Sequence, residues 1–153
     1  MGSTFIDTLQ HPNMRGAYLL IIWLGDETTV KTMAREFHLR PGYYVYVGSA
    51  MNSLEARVRR HMSRNKKLHW HIDYLLERAE VLEAILIPSD ERIEESLSDA
   101  VSRLGEAVEG FGASDLRVSS NLYRFDEHPG DLLMNLLSSM GLGWKTVKSV
   151  DEI

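Results

Sequence analysis

Apolar and β-branched residues form several short runs separated by polar turns, which predicts a sheet of short strands. The run at residues 17–23 is rich in Ile, Leu and aromatic residues and predicts a buried strand. Pro41 and Gly42 are a strong turn signal before the aromatic run that follows them. The strands are predicted at residues 17–23, 28–33, 36–39, 43–48, 81–87 and, as a short last strand, 121–125.

Apolar residues at helical spacing predict helices between and after these strands. The first begins at Asn52, which can cap it with Glu55 three residues on. Leu54, Val58 and Met62 then form one apolar stripe. The other helices are predicted at residues 68–78, at 90–104 with Ser89 or Asp90 as the cap, and at 129–140.

Short turns join the early strands, which favours a small, mostly antiparallel sheet flanked by helices over a doubly wound parallel sheet. The 153 residues suit one domain with a buried core. The fold class is therefore α/β of the α+β kind. Residues 1–14 are predicted as a lead-in, 15–145 as a single domain and 146–153 as a tail.

The composition excludes several classes of protein. The chain has no cysteine, which rules out disulfides, a thiolate nucleophile and a cysteine-type zinc site. Its longest apolar run, residues 17–24, is too short to span a bilayer. Residues 1–9 lack the basic start and apolar stretch of a signal peptide. We therefore expect a cytoplasmic protein without a membrane partner.

Charge is distributed unevenly along the chain. The net charge of −5 argues against general nucleic-acid binding, because neutralising phosphates requires cations. Between residues 57 and 67, however, there are six cations and no acid, whereas acids concentrate at 77–83 and 90–99. A local site for an anion fits this asymmetry, and so does a solvated helix end followed by a loop. The six cations are Arg57, Arg59, Arg60, Arg64, Lys66 and Lys67.

Four residues have the chemistry that phosphodiester hydrolysis needs. Arg57 and His61 are four apart and share one face of the first predicted helix. A guanidinium offsets phosphate charge with two parallel hydrogen bonds, and a carboxylate such as Glu94 can hold Mg²⁺. A phenol such as Tyr46, or an imidazole, can accept a proton from water. The pattern alone leaves open whether these groups meet.

Two triplets, Gly16-Ala17-Tyr18 and Tyr46-Val47-Gly48, resemble those that define the GIY-YIG nuclease superfamily. Gly16-Ala17-Tyr18 is similar to the first and Tyr46-Val47-Gly48 to the second, and residues 54–61 are similar to the arginine helix. Glu94 follows Arg57 by 37 residues, close to the superfamily's interval. The resemblance implies a metal-dependent endonuclease with the catalytic residues Tyr18, Tyr46, Arg57, His61 and Glu94, the last as ligand of Mg²⁺ or Mn²⁺.

Two longer segments, residues 69–76 and 110–115, resemble the signatures of an uncharacterised, archaeal-type branch of that superfamily, DUF123. Residues 69–76, His-Trp-His-Ile-Asp-Tyr-Leu-Leu, are similar to its first signature, and residues 110–115 to its second. The branch implies a GIY-YIG-like sheet with a hairpin inserted at residues 28–39. It also implies DNA or structured nucleic acid as the substrate and a repair protein as a possible partner. The implied nucleic-acid contacts are Arg59, Arg60, Arg64, Lys66, Lys67 and Asn121.

The chain departs from the branch at several positions. The tyrosines of the two triplets are 28 residues apart, more than in other GIY-YIG nucleases. The cysteines and histidine that often follow the second signature are replaced by Leu116, Val118 and Asn121. Ser49 follows the second triplet, where some repair nucleases have a lysine. These differences leave two alternatives to an enzyme, namely a non-catalytic nucleic-acid-binding module and a partner-binding module of a DNA-repair system.

Other patterns have simpler interpretations. His69 and His71 diverge by about 200° if residues 68–78 are helical, so they do not form a zinc pair. We expect them to pack or cap, with Asp73 as a local partner. Residues 110–115 lack the Lys-Ser/Thr ending of a phosphate-binding P-loop and are predicted as a structural turn. Glu94 lies in an acidic run, which is also typical of a solvated helix face.

Overall fold

The computed structural model describes residues 14–32, 35–64, 66–112 and 120–153. Several predictions lie outside the described residues: nearly all of the lead-in, the end of the second strand at Met33, residues 113–115 of the second signature, and Leu116 and Val118. The description that follows concerns the described residues.

Eight strands form one six-stranded sheet and a separate hairpin. The strands are β1 (Gly16–Leu24), β2 (Thr28–Lys31), β3 (Glu36–Leu39), β4 (Gly42–Ala50), β5 (Glu80–Pro88), β6 (Glu106–Ala107), β7 (Leu122–Phe125) and β8 (Lys145–Val147). Every neighbouring pair in the sheet is antiparallel, in the order β6-β7-β4-β1-β5-β8, and β2 pairs with β3 in the hairpin. This confirms the predicted fold class, including the hairpin between β1 and β4.

Helices cover both faces of the sheet. The α-helices are α1 (Leu54–Met62), α2 (His71–Leu76), α3 (Glu94–Ser102) and α4 (Gly130–Ser139), and a 3₁₀ turn covers Val150–Glu152. Buried residues of α1, α2 and the hairpin pack with Tyr18 and Leu20 of β1 on what we call the first face. Buried residues of α3 and α4 pack with Leu19 and Ile21 on the second face. Both faces of β1 are covered, which explains its unbroken apolar run.

The starts of α1 and α3 differ from the prediction. The cap of α1 is Ser53, whose hydroxyl oxygen accepts from the Ala56 N–H at 3.1 Å, and not Asn52. Glu55 accepts instead from the Met14 N–H. The α3 helix begins at Glu94, four residues later than predicted, because the Ser89 hydroxyl is engaged in a local turn with Glu91. This shift places Glu94 at the first residue of the helix.

The α2 helix and the C-terminal residues also differ from the prediction. The helix begins at His71, because the Asp73 carboxylate accepts the N–H groups of His69 and Trp70 just before it. Residues 145–147, partly predicted as tail, form β8 at the edge of the sheet beside β5, and the Val147 side chain is buried. In the described ranges, none of the helices has the length and apolar character needed to cross a bilayer.

Candidate active site

The two triplets lie side by side in the centre of the sheet. Antiparallel pairing of β1 with β4 sets Tyr18 opposite Gly48. A Cβ added to Gly48 would lie 2.4 Å from the Tyr18 ring, so the ring occupies the space above the glycine. Glycine at the end of the second triplet is therefore explained by close packing of the Tyr18 ring.

A short buried hydrogen bond joins Tyr18 to α1. The hydroxyl of Tyr18 lies 2.6 Å from Nε2 of His61, and both side chains are at most 2% exposed. Burial, and after it the nearby Lys66 cation, lowers the pKa of His61 to about 3. Burial, followed by Tyr46, raises the pKa of Tyr18 well above its ordinary value. Near neutral pH the pair is a neutral phenol hydrogen-bonded to a neutral imidazole.

Replacing His61 is expected to flatten the pH dependence of stability. The pKa of His61 is about 3 in the folded protein, below the ordinary value of 6.5 that applies to the unfolded chain. As the pH falls, the unfolded chain therefore binds a proton at this position before the folded protein does. Stability is thus complete above pH 6.5 and is lost as the pH falls towards 3. Between pH 7 and pH 5 the loss amounts to about 2 kcal/mol. Urea unfolding of His61→Gln across this range should lack that decrease, and exposed His38→Gln should retain it. An unchanged slope in His61→Gln would contradict the assignment.

Arg57 enters the site from α1 without an ion-pair partner among the described residues. Its Nη1 donates to the backbone carbonyl of Ser49 at 3.1 Å. Its guanidinium carbon lies 4.5 Å from the centre of the Trp70 ring. Neither contact neutralises the positive charge, so the charge remains available to an anion.

Glu94 reaches the same site from α3, on the other face of the sheet. One carboxylate oxygen accepts from the Ser49 hydroxyl at 2.6 Å, and the other accepts from the Asn121 side-chain amide at 3.1 Å. Ser49 thus bonds to Glu94 through its side chain and to Arg57 through its backbone. The guanidinium and the carboxylate, 37 residues apart in sequence, meet at the end of β4.

These groups surround a cleft of about 400 Å³. Four of the five predicted catalytic residues line it: Tyr18, Tyr46, Arg57 and Glu94. His61 is not part of the lining, and it adjoins the cleft through the hydroxyl of Tyr18 and through ring contacts with Tyr46 and Trp70. Tyr46 is half-buried, and burial followed by the Glu94 carboxylate raises its pKa. The full lining comprises Tyr18, Tyr46, Gly48, Ser49, Arg57, His69, Trp70, His71, Glu94, Gly112 and Asn121.

Residues 17–142 match the family model described as Domain of unknown function DUF123. The chain belongs to the DUF123 family. The match covers the whole cleft and both signature segments that the sequence singled out. No curated protein and no solved structure matches the chain.

The two signatures of this DUF123 chain contact one another beside the cleft. Nδ1 of His71 accepts the backbone N–H of Gly112 at 3.0 Å, and its ring lies edge-on to Phe111, with centroids 5.5 Å apart. His69 also lines the cleft, from the residue before the N-cap of α2. The zinc interpretation is therefore not needed to explain either histidine. Asp73 is the local partner expected, through the backbone of His69 and Trp70.

The basic segment of the DUF123 domain does not form one surface around the cleft. Arg57 lines the cleft, whereas both terminal nitrogens of Arg60 donate to the carboxylate of Asp73, at 2.7 and 2.9 Å. Nζ of Lys66 donates to the carbonyl of His61 at 2.9 Å, so it caps the C-terminal end of α1. Arg60 and Lys66 therefore have structural contacts that the charge pattern alone did not indicate.

The remaining predicted nucleic-acid contacts are divided between two places. Arg59, Arg64 and Lys67 are exposed, and Arg64 and Lys66 line a second cleft of about 470 Å³ at the C-terminal end of α1, where His61 also lines it. Asn121 is only 2% exposed and donates both to Glu94 and to the carbonyl of Gly112. Asn121 thus supports the Glu94 carboxylate rather than extending the basic surface.

A divalent cation fits this site only with a small protein contribution. Across the described residues, no three His, Asp or Glu side chains gather into a metal cluster. Glu94 is the one acid in the cleft lining, beside a buried Asn121 carbonyl oxygen that has no hydrogen-bond partner there. Mg²⁺ commonly binds through one or two carboxylates, waters and phosphate oxygens, and Mn²⁺ accepts similar oxygen ligands. The donor set therefore fits the predicted cofactor.

Three residues of the site were not singled out as functional from the sequence. Ser49 was noted only because some repair nucleases have a lysine at this position, yet it forms hydrogen bonds with both Arg57 and Glu94. Trp70 contacts Arg57, and Asp73 fixes the backbone beside Trp70. The signal for Trp70 and Asp73 was their place in the first signature, since both follow the arginine helix closely.

Proposed function

We propose that this DUF123 protein is a metal-dependent endonuclease of the GIY-YIG type that hydrolyses phosphodiester bonds in DNA or structured nucleic acid. The observation that supports it most is the single cleft lined by Tyr18, Tyr46, Arg57 and Glu94. These residues come from β1, β4, α1 and α3. Groups that are far apart in sequence, that have the chemistry of one reaction and that converge on one concave site are typical of an active site.

Arg57 has the role of binding the scissile phosphate. Its guanidinium can form two parallel hydrogen bonds to phosphate oxygens, and its charge is not neutralised by a described acid. The same charge stabilises the additional negative charge that develops on the phosphate during attack. Glu94 holds the divalent cation, which when bound supplies charge neutralisation and an acidic water.

Tyr46 provides the group for proton transfer, and the Tyr18–His61 pair supports it. Tyr46 is the less buried tyrosine and orients the attacking water or accepts its proton. Its pKa is raised by burial and by Glu94, so loss of its proton depends on cationic charge in the cleft, to which Arg57 contributes. The neutral imidazole of His61 is hydrogen-bonded to the Tyr18 hydroxyl at 2.6 Å and so fixes the orientation of this phenol beside Tyr46.

Cleavage assays with two substitutions test this function. Purified protein is incubated with supercoiled plasmid, single-stranded DNA and branched DNA, with Mg²⁺ or Mn²⁺ and with chelator. Arg57→Met and Glu94→Gln should each lower the cleavage rate by about 100-fold or more, because each removes charge stabilisation at the reacting phosphate. Arg103→Met and Glu91→Gln, which alter exposed residues outside the cleft lining, should remain within about twofold of wild type.

The other outcomes assign the other functions. Salt-dependent binding without cutting, unaffected by Glu94→Gln, would identify a non-catalytic nucleic-acid-binding module. Neither cutting nor binding would leave a partner-binding domain. Cleavage that persists in chelator, or in Glu94→Gln, would contradict the metal-dependent mechanism.

A further inference from the structure

Trp70 contacts two guanidinium groups at the edge of the cleft. The guanidinium carbon of Arg57 lies 4.5 Å from the centre of the Trp70 ring, and that of Arg60 lies 4.4 Å from it. Tryptophan has the strongest attraction for cations among the aromatic side chains, and arginine is its commonest partner. Two cations on one ring repel each other, so the arrangement needs an anion to offset one of them.

Asp73 is the anion that offsets Arg60. Its side chain is fully buried, and both of its oxygens accept from Arg60, at 2.7 and 2.9 Å. The same carboxylate accepts the backbone N–H groups of His69 and Trp70, each at 2.9 Å. One buried carboxylate therefore fixes both the backbone that carries the Trp70 ring and the arginine that packs on it.

Arg57 is held differently from Arg60. Its contacts include the Trp70 ring, the carbonyl of Ser49 and the neutral Tyr18 phenol, which attract a cation without cancelling its charge. A salt bridge in the same place would order the side chain but would compete with an incoming phosphate. The Trp70 ring thus contacts two arginines. Arg60 is neutralised by an acid, and Arg57 is ordered without being neutralised.

We propose that Trp70, anchored by Asp73 and Arg60, is a positioning residue that orders the Arg57 guanidinium in the cleft while leaving its charge free for a phosphate. Trp70 orders Arg57 whether or not the protein cleaves nucleic acid. The consequence of this ordering for phosphate binding rests on the proposed function. This ordering gives the first signature a role, since Trp70 and Asp73 both belong to residues 69–76.

Arginine side-chain NMR tests the ordering without requiring activity. In wild type the Trp70 ring current should displace the Arg57 Nε–H signal, which Arg57→Lys identifies by its disappearance. Trp70→Leu should return that signal to the position of an exposed arginine and broaden it, and Trp70→Tyr should retain most of the displacement. His38→Gln, at an exposed position of β3 outside the cleft, should leave it in place. An Arg57 signal unchanged by Trp70→Leu would overturn the proposal.

Binding and cleavage test the consequence for the phosphate. Trp70→Leu should weaken binding of a labelled single-stranded oligonucleotide in chelator by about 10-fold and lower kcat/KM for cleavage similarly. Trp70→Tyr should stay within about threefold. In an Arg57→Met background Trp70→Leu should add no further loss of binding, because the residue acts through Arg57. An equal loss in that background would show a separate role for Trp70 and overturn the positioning role.

The design separates the two proposals and covers a folding failure. A wild-type protein that neither binds nor cuts nucleic acid would defeat the proposed function, while the NMR result would still decide the ordering. Should Trp70→Leu fail to fold, Arg60→Met keeps the ring and removes one of its two anchors, since Asp73 still accepts the Trp70 N–H. Arg60→Met should broaden the Arg57 Nε–H signal and shift it towards the position of an exposed arginine. An unaffected signal would contradict the role of Arg60 in anchoring Trp70.

Discussion

Asp73→Asn should lower the free energy of unfolding by about 3 kcal/mol. The Asp73 carboxylate is fully buried and accepts four hydrogen bonds, two from Arg60 and one each from the backbone of His69 and Trp70. An amide offers one acceptor oxygen, so at least part of this set is lost and the Arg60 charge is left half-buried without its partner. Chemical denaturation at neutral pH measures the loss.

The same residue gives the expected response to acid. Burial alone would raise the pKa of Asp73, but the hydrogen bonds from Arg60, Trp70 and His69 outweigh it and bring the pKa to about 2. Because this pKa lies below the ordinary value of 3.8, the stabilisation is present above about pH 4 and is lost as the pH falls towards 2. Asp73→Asn should therefore approach wild-type stability at the acid end of this window.

Asp99→Asn is the matched control for this carboxylate. Asp99 forms an i,i+4 ion pair with Arg103 on the surface of α3, and both side chains are more than half exposed. Solvent screens such a pair, so the substitution should change stability by no more than about 0.5 kcal/mol. Equal losses at Asp73 and Asp99 would show that burial and the four hydrogen bonds do not set the difference.

Periodicity predicted the elements that carry their own core contacts. The β1 strand is apolar on both faces, and α1 has a stripe in which Leu54 and Val58 are fully buried, so each pattern follows directly from packing. The β8 strand has only three residues, of which Val147 is buried, so its alternation of apolar and polar residues is too short to predict a strand. Its place beside β5 depends on pairing across about 60 residues, which local sequence does not encode.

Helix starts were the less predictable feature, because several polar residues compete for each cap. Asn52 and Ser53 are both suitable caps, and only the backbone path selects Ser53. Ser89 forms a local turn in place of a cap, which delays α3 to Glu94. The later start matters for the site, because it makes Glu94 the first residue of α3, from where its carboxylate accepts the Ser49 hydroxyl hydrogen bond.

The sequence indicated the main groups of the site but not how they are supported. Residue chemistry, together with the resemblance of the two triplets and of the interval from Arg57 to Glu94, selected Tyr46, Arg57, His61 and Glu94, and three of these line the cleft. The contiguous cation run suggested one basic surface, yet Arg60 is bound to a buried carboxylate from a later helix. Such pairing is a tertiary property, so charge counts overestimate how many cations remain free for a ligand.

Gly48→Ala should destabilise the fold by about 3 kcal/mol and disturb the cleft. The new Cβ would lie 2.4 Å from both Cζ and the hydroxyl oxygen of Tyr18, well inside van der Waals contact. The φ angle of Gly48 is not positive, so the expected cost is steric. The Tyr18 ring is buried and its hydroxyl is bonded to His61, so it can move aside only by breaking that bond. Urea denaturation measures the cost.

Two comparisons make this a test of the contact between Gly48 and Tyr18. Gly143→Ala introduces the same methyl group where no atom lies within 4 Å, and it should change stability by less than about 0.5 kcal/mol. In a Tyr18→Leu background the smaller side chain frees space, so Gly48→Ala should cost less than in wild type. Equal costs in the two backgrounds would mean that Tyr18 does not explain the glycine. A smaller cost in the Tyr18→Leu background would tie the second triplet's glycine to the tyrosine of the first.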